Sequence, residues 1–261
     1  MNDTGSDSQS PLRDPPLRHP GQSLDEQIDD FLDGKVLPYL LFPAVFWLFA
    51  LILWVSEHHP EVRSPIPWVC AALLMTVVAV WRLYGVRREI RNIKLGRDGE
   101  RVVGQALEEL RRQGAEVFHD LPGKGFNLDH VVVARQGVFV IETKTWSKRK
   151  NTKERQEIAA RDGVLFKDGK KVDRQPVDQV RANTDWLGGW LKEHTRQTFP
   201  IQPVVLLPFW WVNQDEATKA KAWVLSHNAF PKFFAREVFK LSDADVALAS
   251  ARLKELSRGR L

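Results

Sequence analysis

Polarity along the chain divides it sharply. Val36–Val55 is an apolar run of 20 residues, and Ile66–Val86 is a second that carries a single charge, Arg82, near its end. At 1.5 Å per helical residue either run spans the roughly 30 Å hydrocarbon core of a bilayer, and Arg82 lies where a long side chain can snorkel to the interface. Trp54, Trp68, Trp81 and Tyr84 stand near the ends of the runs, as interfacial aromatics do. Pro43 is a site for a kink. No basic cluster precedes the first run and no small-residue cleavage motif accompanies it, so it does not read as a secretory signal. The pattern predicts a transmembrane hairpin over residues 36–86, with spans 36–55 and 66–86 joined by Ser56–Pro65.

On either side the periodicity changes. Residues 1–22 are rich in Pro, Ser, Asp and Gly and predict a disordered tail. Ser23 then caps a short amphipathic helix with Leu24, Ile28, Phe31 and Leu32 on one stripe, ended by Gly34 and suited to a membrane surface, so that residues 1–35 form one segment. Beyond the hairpin, a helix is expected over Asp98–Gln113, with Val103, Ala106, Leu107 and Leu110 inward and Gly114 closing it. Ala115–Leu121 reads as a strand, and Asn127–Ala134 and Val138–Thr145 as a hairpin. Two Asp-Gly pairs, Asp162–Gly163 and Asp168–Gly169, bracket Val164–Lys167 in a small meander. Pro176 opens a helix with Val177, Val180, Leu187 and Leu191 on one face. Val204–Leu207 and Trp223–Leu225 read as buried strands of a sheet covered on two sides. Ser242 and Asp245 begin a last helix with the stripe Val246, Ala249, Leu253 and Leu256. Trp210 and Trp211 read as core or rim.

Composition adds two constraints. The single cysteine of the 261 residues, Cys70, rules out an intrachain disulfide. The net charge of +5 is modest, but Arg82, Arg87, Arg88, Arg91, Lys94 and Arg97 follow the second apolar run with Glu89 the only acid among them. This collar, residues 87–97 with Arg82, places the C-terminal domain in the cytoplasm by the positive-inside rule, and two crossings return the N-terminus to the same side. A two-pass protein of the cell membrane is expected, with a soluble domain over residues 98–261.

The candidate chemistry lies in the hairpin. Asp129 sits inside its first run; Glu142 and Lys144 interrupt the second after Val138–Ile141. Side chains alternate along a strand, so Val138, Val140, Glu142 and Lys144 share a face. A turn that pairs Ala134 with Gly137, or Val133 with Val138, sets Asp129 directly opposite Glu142, with Cβ atoms about 4.5–5.5 Å apart. A three-residue turn would send Asp129 to the other face. Two carboxylates that close repel unless a cation lies between them, and Mg²⁺ takes one or two carboxylates with water and phosphate oxygens in its remaining positions. Glu100 falls on the inward stripe of its helix. His130 lies on the face away from Asp129 and reads as a packed or hydrogen-bonded histidine, with a proton carrier as the other reading. Lys148, Arg149, Lys150, Lys153 and Arg155 form a basic run beside the site that suits nucleic-acid phosphates. No repeat, phosphate-cradling Gly-rich loop or Cys/His cluster is present, and no small-molecule cofactor is indicated.

Gly96–Glu100 (GRDGE), Leu128–Ala134 (LDHVVVA) and Gly137–Trp146 (GVFVIETKTW) resemble the nuclease-related domain (NERD) family, a branch of the restriction-endonuclease-like PD-(D/E)xK superfamily. The likeness runs from about Leu95 to Leu191. It implies an α/β fold with a restriction-endonuclease-like mixed central sheet flanked by helices, here preceded by the two-helix transmembrane hairpin. It also implies a Mg²⁺- or Mn²⁺-dependent nuclease with Asp129, Glu142 and Glu100 as metal ligands and Lys144 on the attacking water. Gln179 matches the family's glutamine after the core and is by that likeness a further catalytic candidate, although Asn183 stands where the superfamily has an aromatic residue, and Leu128 replaces its proline. The expected partners are the bilayer and nucleic acid, DNA ahead of RNA. The other reading is a non-catalytic nucleic-acid-binding or scaffolding module tethered to the membrane.

Overall fold

The computed structural model describes residues 17–55, 66–147 and 157–259. The expectations for residues 1–16, for the Ser56–Pro65 connection and for the basic run at Lys148, Arg149, Lys150, Lys153 and Arg155 fall outside the described residues. The chain forms two compact units, residues 22–98 and residues 1–21 with 99–261.

The first unit is helical. Helix α1 (Gln22–Phe31) passes through a π-helical turn (Leu32–Val36) into α2 (Leu37–Val55), and α3 (Ile66–Arg111) contributes its part up to Asp98. Gly34 does not stop the first helix as expected. It lies inside the π-helical turn, where the Leu37 N–H bonds to Leu32 O, and helical backbone runs on into the apolar segment. The collar 87–97 likewise does not interrupt the helix. With no proline or left-handed glycine there, the helix continues through it, so the helix expected to begin at Asp98 is the end of α3. The stripe of α1 meets α3 in part: Arg97 bonds to Asp25 at 3.2 Å, Leu24 approaches Gly96, and Ile28 is buried.

Small residues are the buried ones between the apolar helices. Ala50, Ala72 and Ala79 are enclosed, while Leu40, Phe42, Leu48 and Trp54 of α2 and Val77, Val80 and Trp81 of α3 stand exposed. Trp47 Nε1 donates to Thr76 Oγ1 at 3.1 Å, and Phe49 stacks on Trp68 with centroids 5.4 Å apart. Small residues at the contact and large apolar ones facing outward invert the pattern of a water-soluble helix pair, as expected where lipid is the solvent. Both helices are long and apolar enough to cross a membrane.

The second unit is mixed α/β. Strands β1 (Glu116–Pro122), β2 (Asn127–Ala134), β3 (Gly137–Thr143), β7 (Ile201–Leu206) and β9 (Trp223–Leu225) form one sheet in the order β1-β2-β3-β7-β9. The first three pair antiparallel and the last three parallel. A second sheet, β6-β5-β4-β8, combines β4 (Glu157–Arg161), β5 (Val164–Lys167), β6 (Lys170–Lys171) and β8 (Trp211–Gln214). Its meander turns at Asp162–Gly163 and Asp168–Gly169, all four residues having positive φ as a two-residue hairpin turn demands.

Each face of the main sheet carries its own core. Val132, Phe139, Ile141, Val204 and Leu206 pack with Val103, Leu107 and Leu110 of α3 and with Phe230 and Phe234 of α6 (Phe230–Arg236). Val131, Val133, Val138, Val140 and Val205 pack with Val177, Val180, Leu187 and Leu191 of α4 (Pro176–Thr195), with Leu253 of α7 (Asp243–Ser257), and with Ile158 and Leu165 of the second sheet. Helix α3 ends where expected: Gly114, at φ +85°, closes it as Gly114 N–H bonds to Arg111 O and Ala115 N–H to Leu110 O. Ser242 and Asp245 cap α7 reciprocally. Trp210 is core, whereas Trp211 is exposed. β8, α5 (Glu216–Lys221) and α6 have no counterpart in the sequence reading.

Residues 17–21 differ from the disordered tail expected there. They lie along the second unit, with Pro20 against Gly104 and Arg18 on Asp120.

Candidate active site

The hairpin closes with Ala134 opposite Gly137 and Val133 opposite Val138, so positions 129 and 142 stand opposite each other. The β2–β3 pairing ends at His130–Ile141. Beyond it the Thr143 N–H donates to the Asp129 carboxylate, Oδ2, at 2.7 Å instead of to a β2 carbonyl. The last residues of β3 are held from the other side, Glu142 and Thr143 pairing with Val205 and Leu206 and the Lys144 N–H bonding to Leu206 O at 3.0 Å. The two carboxylates therefore sit where β2 and β3 begin to part, with Lys144 half-buried just past the strand end.

Glu100 joins them from α3, one turn before Val103, and is 8% exposed. Gly99 makes that approach possible: a Cβ there would lie 1.7 Å from Thr145 Oγ1 and 2.9 Å from Thr145 Cβ. Glu142 is 4% exposed, and Asn183 Nδ2 of α4 reaches its Oε2 at 3.4 Å. Gln179, one turn earlier, is exposed, so Asn183 is the side chain that α4 brings to Glu142.

These carboxyls share one electrostatic environment. Burial, then the charges of Asp129 and Asp120, push Glu100 up to about 9, against the N–H of Gly21 and the charge of Lys144. Burial raises Asp129 to about 7, against the Thr143 N–H and Lys144. Glu142 is pushed well above the usual carboxylate range by burial and then by Asp129, with Lys144 opposing. Lys144 thus favours the ionised form of all three, but desolvation outweighs it. Clustered groups displaced this far mark a functional site more often than a purely structural one.

A fourth carboxylate belongs to the same neighbourhood. Asp120 lies between the paired positions His119–His130 and Leu121–Leu128, has φ +50° and is 1% exposed. Its Oδ1 accepts from Asn127 Nδ2 at 2.9 Å, and its Oδ2 meets Arg18 Nη2 at 2.7 Å and Nε at 2.9 Å. Neither Asp120 nor Arg18 was singled out from sequence. The Asp120 signal is the β1–β2 register, which sets it opposite Asp129; Arg18 carries no local signal.

His130 is packed, as read. It is fully buried, with Nδ1 2.8 Å from Nδ1 of His119, whose Nε2 lies 2.7 Å from Glu108 Oε1. Burial lowers the pKa of both histidines, so this pair is neutral structural material.

Among the described residues, no three His, Cys, Asp or Glu side chains stand together as a ready-made metal cage. Mg²⁺ requires less, since one or two carboxylates suffice when water and phosphate complete its octahedron. The donors fit a hard cation: half-buried Asp129 stands opposite buried Glu142, Asp129 repels both Glu142 and Glu100, and Glu100 repels Glu142. Residues 95–208 match the family model described as nuclease-related domain, NERD. No curated protein and no solved structure matches the chain.

Proposed function

We propose that the nuclease-related domain of this chain is a metal-dependent nuclease that hydrolyses phosphodiester bonds of nucleic acid, DNA ahead of RNA, at a membrane. The observation that carries this reading is the meeting of Asp129, Glu142, Glu100 and Lys144 at the parting of β2 and β3, within the segment 95–208 that the family model covers. Asp129 and Glu142 would hold Mg²⁺ or Mn²⁺, with Glu100 as the third acid. Such an ion, when bound, neutralises charge at the phosphate and lowers the pKa of a coordinated water.

The chain's own residues have separate tasks. The Thr143 N–H fixes the Asp129 carboxylate against β3. Asn183 donates to one oxygen of Glu142. Lys144, outside the last strand pair but anchored by its N–H to Leu206 O, orients the attacking water by donating to it and stabilises negative charge as it develops on oxygen. Lys148, Arg149, Lys150, Lys153 and Arg155 follow directly in sequence and would bind phosphates along the substrate. The apolar helices α2 and α3 anchor the protein as a two-pass hairpin with both termini cytoplasmic.

The test is cleavage of DNA and RNA by the full chain in detergent, with Mg²⁺ or Mn²⁺ and with EDTA. Metal-dependent cutting lost in Asp129→Asn and Glu142→Gln supports the reading. A second reading, a nucleic-acid-binding module without catalysis, is favoured by the lack of a three-ligand metal cage among the described residues. Binding by folded wild-type protein with no cleavage under any divalent metal would replace the first reading with the second.

A further inference from the structure

Residues 17–21 precede the apolar helices in sequence, yet they belong to the unit that contains the candidate site. Three contacts fix them there. Pro20 lies over Gly104 of α3, where an added Cβ would stand 2.4 Å from Pro20 Cγ. Gly21, buried and at φ +73°, directs its N–H to the Glu100 carboxyl. Arg18 places Nε and Nη2 on Oδ2 of Asp120, whose other oxygen is bonded to Asn127, the first residue of β2. The arm thus touches Glu100 directly and reaches, through Asp120 and Asn127, the strand that carries Asp129 two residues later.

We propose that this arm completes the candidate active site and that Arg18 is a positioning residue, holding Asp120 and Asn127 so that β2 presents Asp129 opposite Glu142. The proposal rests on the nuclease reading for its activity readout but not for its structural one. Asp120 is almost wholly buried at a left-handed φ, and Arg18 sets two nitrogens on one of its oxygens. Losing that contact weakens the hold on the β1 residue that stands opposite Asp129. A lysine keeps the charge but has no planar fork to set two nitrogens on the carboxylate. A fragment beginning at residue 95 lacks Arg18 and Gly21 altogether.

The experiment uses the full chain in detergent, comparing Arg18→Ala, Arg18→Lys, Asp120→Asn and the double variant Arg18→Ala/Asp120→Asn. Arg18→Ala is expected to lower kcat between about tenfold and a hundredfold, the range that small misplacements produce, with KM for a DNA substrate nearly unchanged. Arg18→Lys should recover part of the loss. The double variant should exceed Arg18→Ala, because an amide carries no charge for Arg18 to balance. A rise in KM with kcat kept would mean that Arg18 binds substrate, and faster turnover in Arg18→Ala would mean that the arm obstructs the site; either overturns the proposal. If the wild-type chain cleaves nothing, the nuclease reading fails while thermal unfolding still decides the arm. A double variant that melts as high as Asp120→Asn alone supports the contact, and strictly additive losses overturn it.

Discussion

Oδ2 of Asp129 accepts the backbone N–H of Thr143 at 2.7 Å, a side chain taking the place of a strand partner where β2 and β3 separate. An N–H donor of this kind favours the ionised carboxylate, and so does Lys144, yet Asp129 is still raised to about 7. Burial therefore dominates, and the site is held in a state that a cation would relieve.

The first expected outcome is a pH dependence of stability. Asp129 rises from 3.8 to about 7 and Glu100 from 4.5 to about 9 on folding. Groups raised in the folded state contribute their full stability below the unfolded values, and that contribution is lost as pH climbs through about 7 and then about 9. The thermal midpoint of the metal-free full chain should fall between about pH 6 and about pH 9, and Asp129→Asn should flatten the decline. Added Mg²⁺ should raise the midpoint more at the alkaline end, because a cation need not displace protons there. Equal Mg²⁺ stabilisation at both ends contradicts the assignment.

Cleavage kinetics should separate the site residues by role. Asp129→Asn and Glu142→Gln should abolish cutting together with metal-dependent stabilisation. Lys144→Ala should lower kcat by roughly 100- to 10,000-fold, the usual span for a positioned acid–base group, while the Mg²⁺ concentration for half-maximal rate stays put. A shift in metal requirement without loss of kcat would place Lys144 outside the chemistry.

Gly99→Ala tests the close approach of α3. Its new Cβ would collide with Thr145 Oγ1 at 1.7 Å, so the start of the Glu100 turn must move. The expected loss is about 1–3 kcal/mol of stability, typical of overpacking, with activity falling further as Glu100 shifts. Thr145→Ala in the same chain removes the hydroxyl and should restore part of both. Unchanged activity in Gly99→Ala would separate Glu100 from the site.

Topology is open to a direct check. Reporter fusions after residue 20 and at residue 261 should both read cytoplasmic, and a label between Ser56 and Pro65 should be accessible only from outside. An external C-terminus would contradict the anchoring proposed from α2 and α3.

Much of the central hairpin was legible because its information is local. The turn between Ala134 and Gly137 fixes the register, and the register fixes which residue faces Glu142. The Asp-Gly turns, Gly114 and the Ser242 cap were legible for the same reason, each requiring one specific backbone geometry. Helix α3 was not, since charges and glycines at residues 85–99 resemble a linker when only composition is read, whereas helical backbone accommodates them with no proline or left-handed glycine to break it. Gln179 and Asn183 differ by one helical turn, and only packing reveals which of them meets Glu142. Arg18 and Asp120 are 102 residues apart, a separation across which periodicity carries no signal.

That separation also orders events during synthesis. Arg18 leaves the ribosome long before Asp120 exists, and both apolar helices are made in between. The Arg18–Asp120 contact must therefore wait until β1 and β2 have been delivered, so its formation belongs among the late steps of maturation. A bulky tag fused near Met1 would act on that step, slowing closure of a domain whose own strands were already complete.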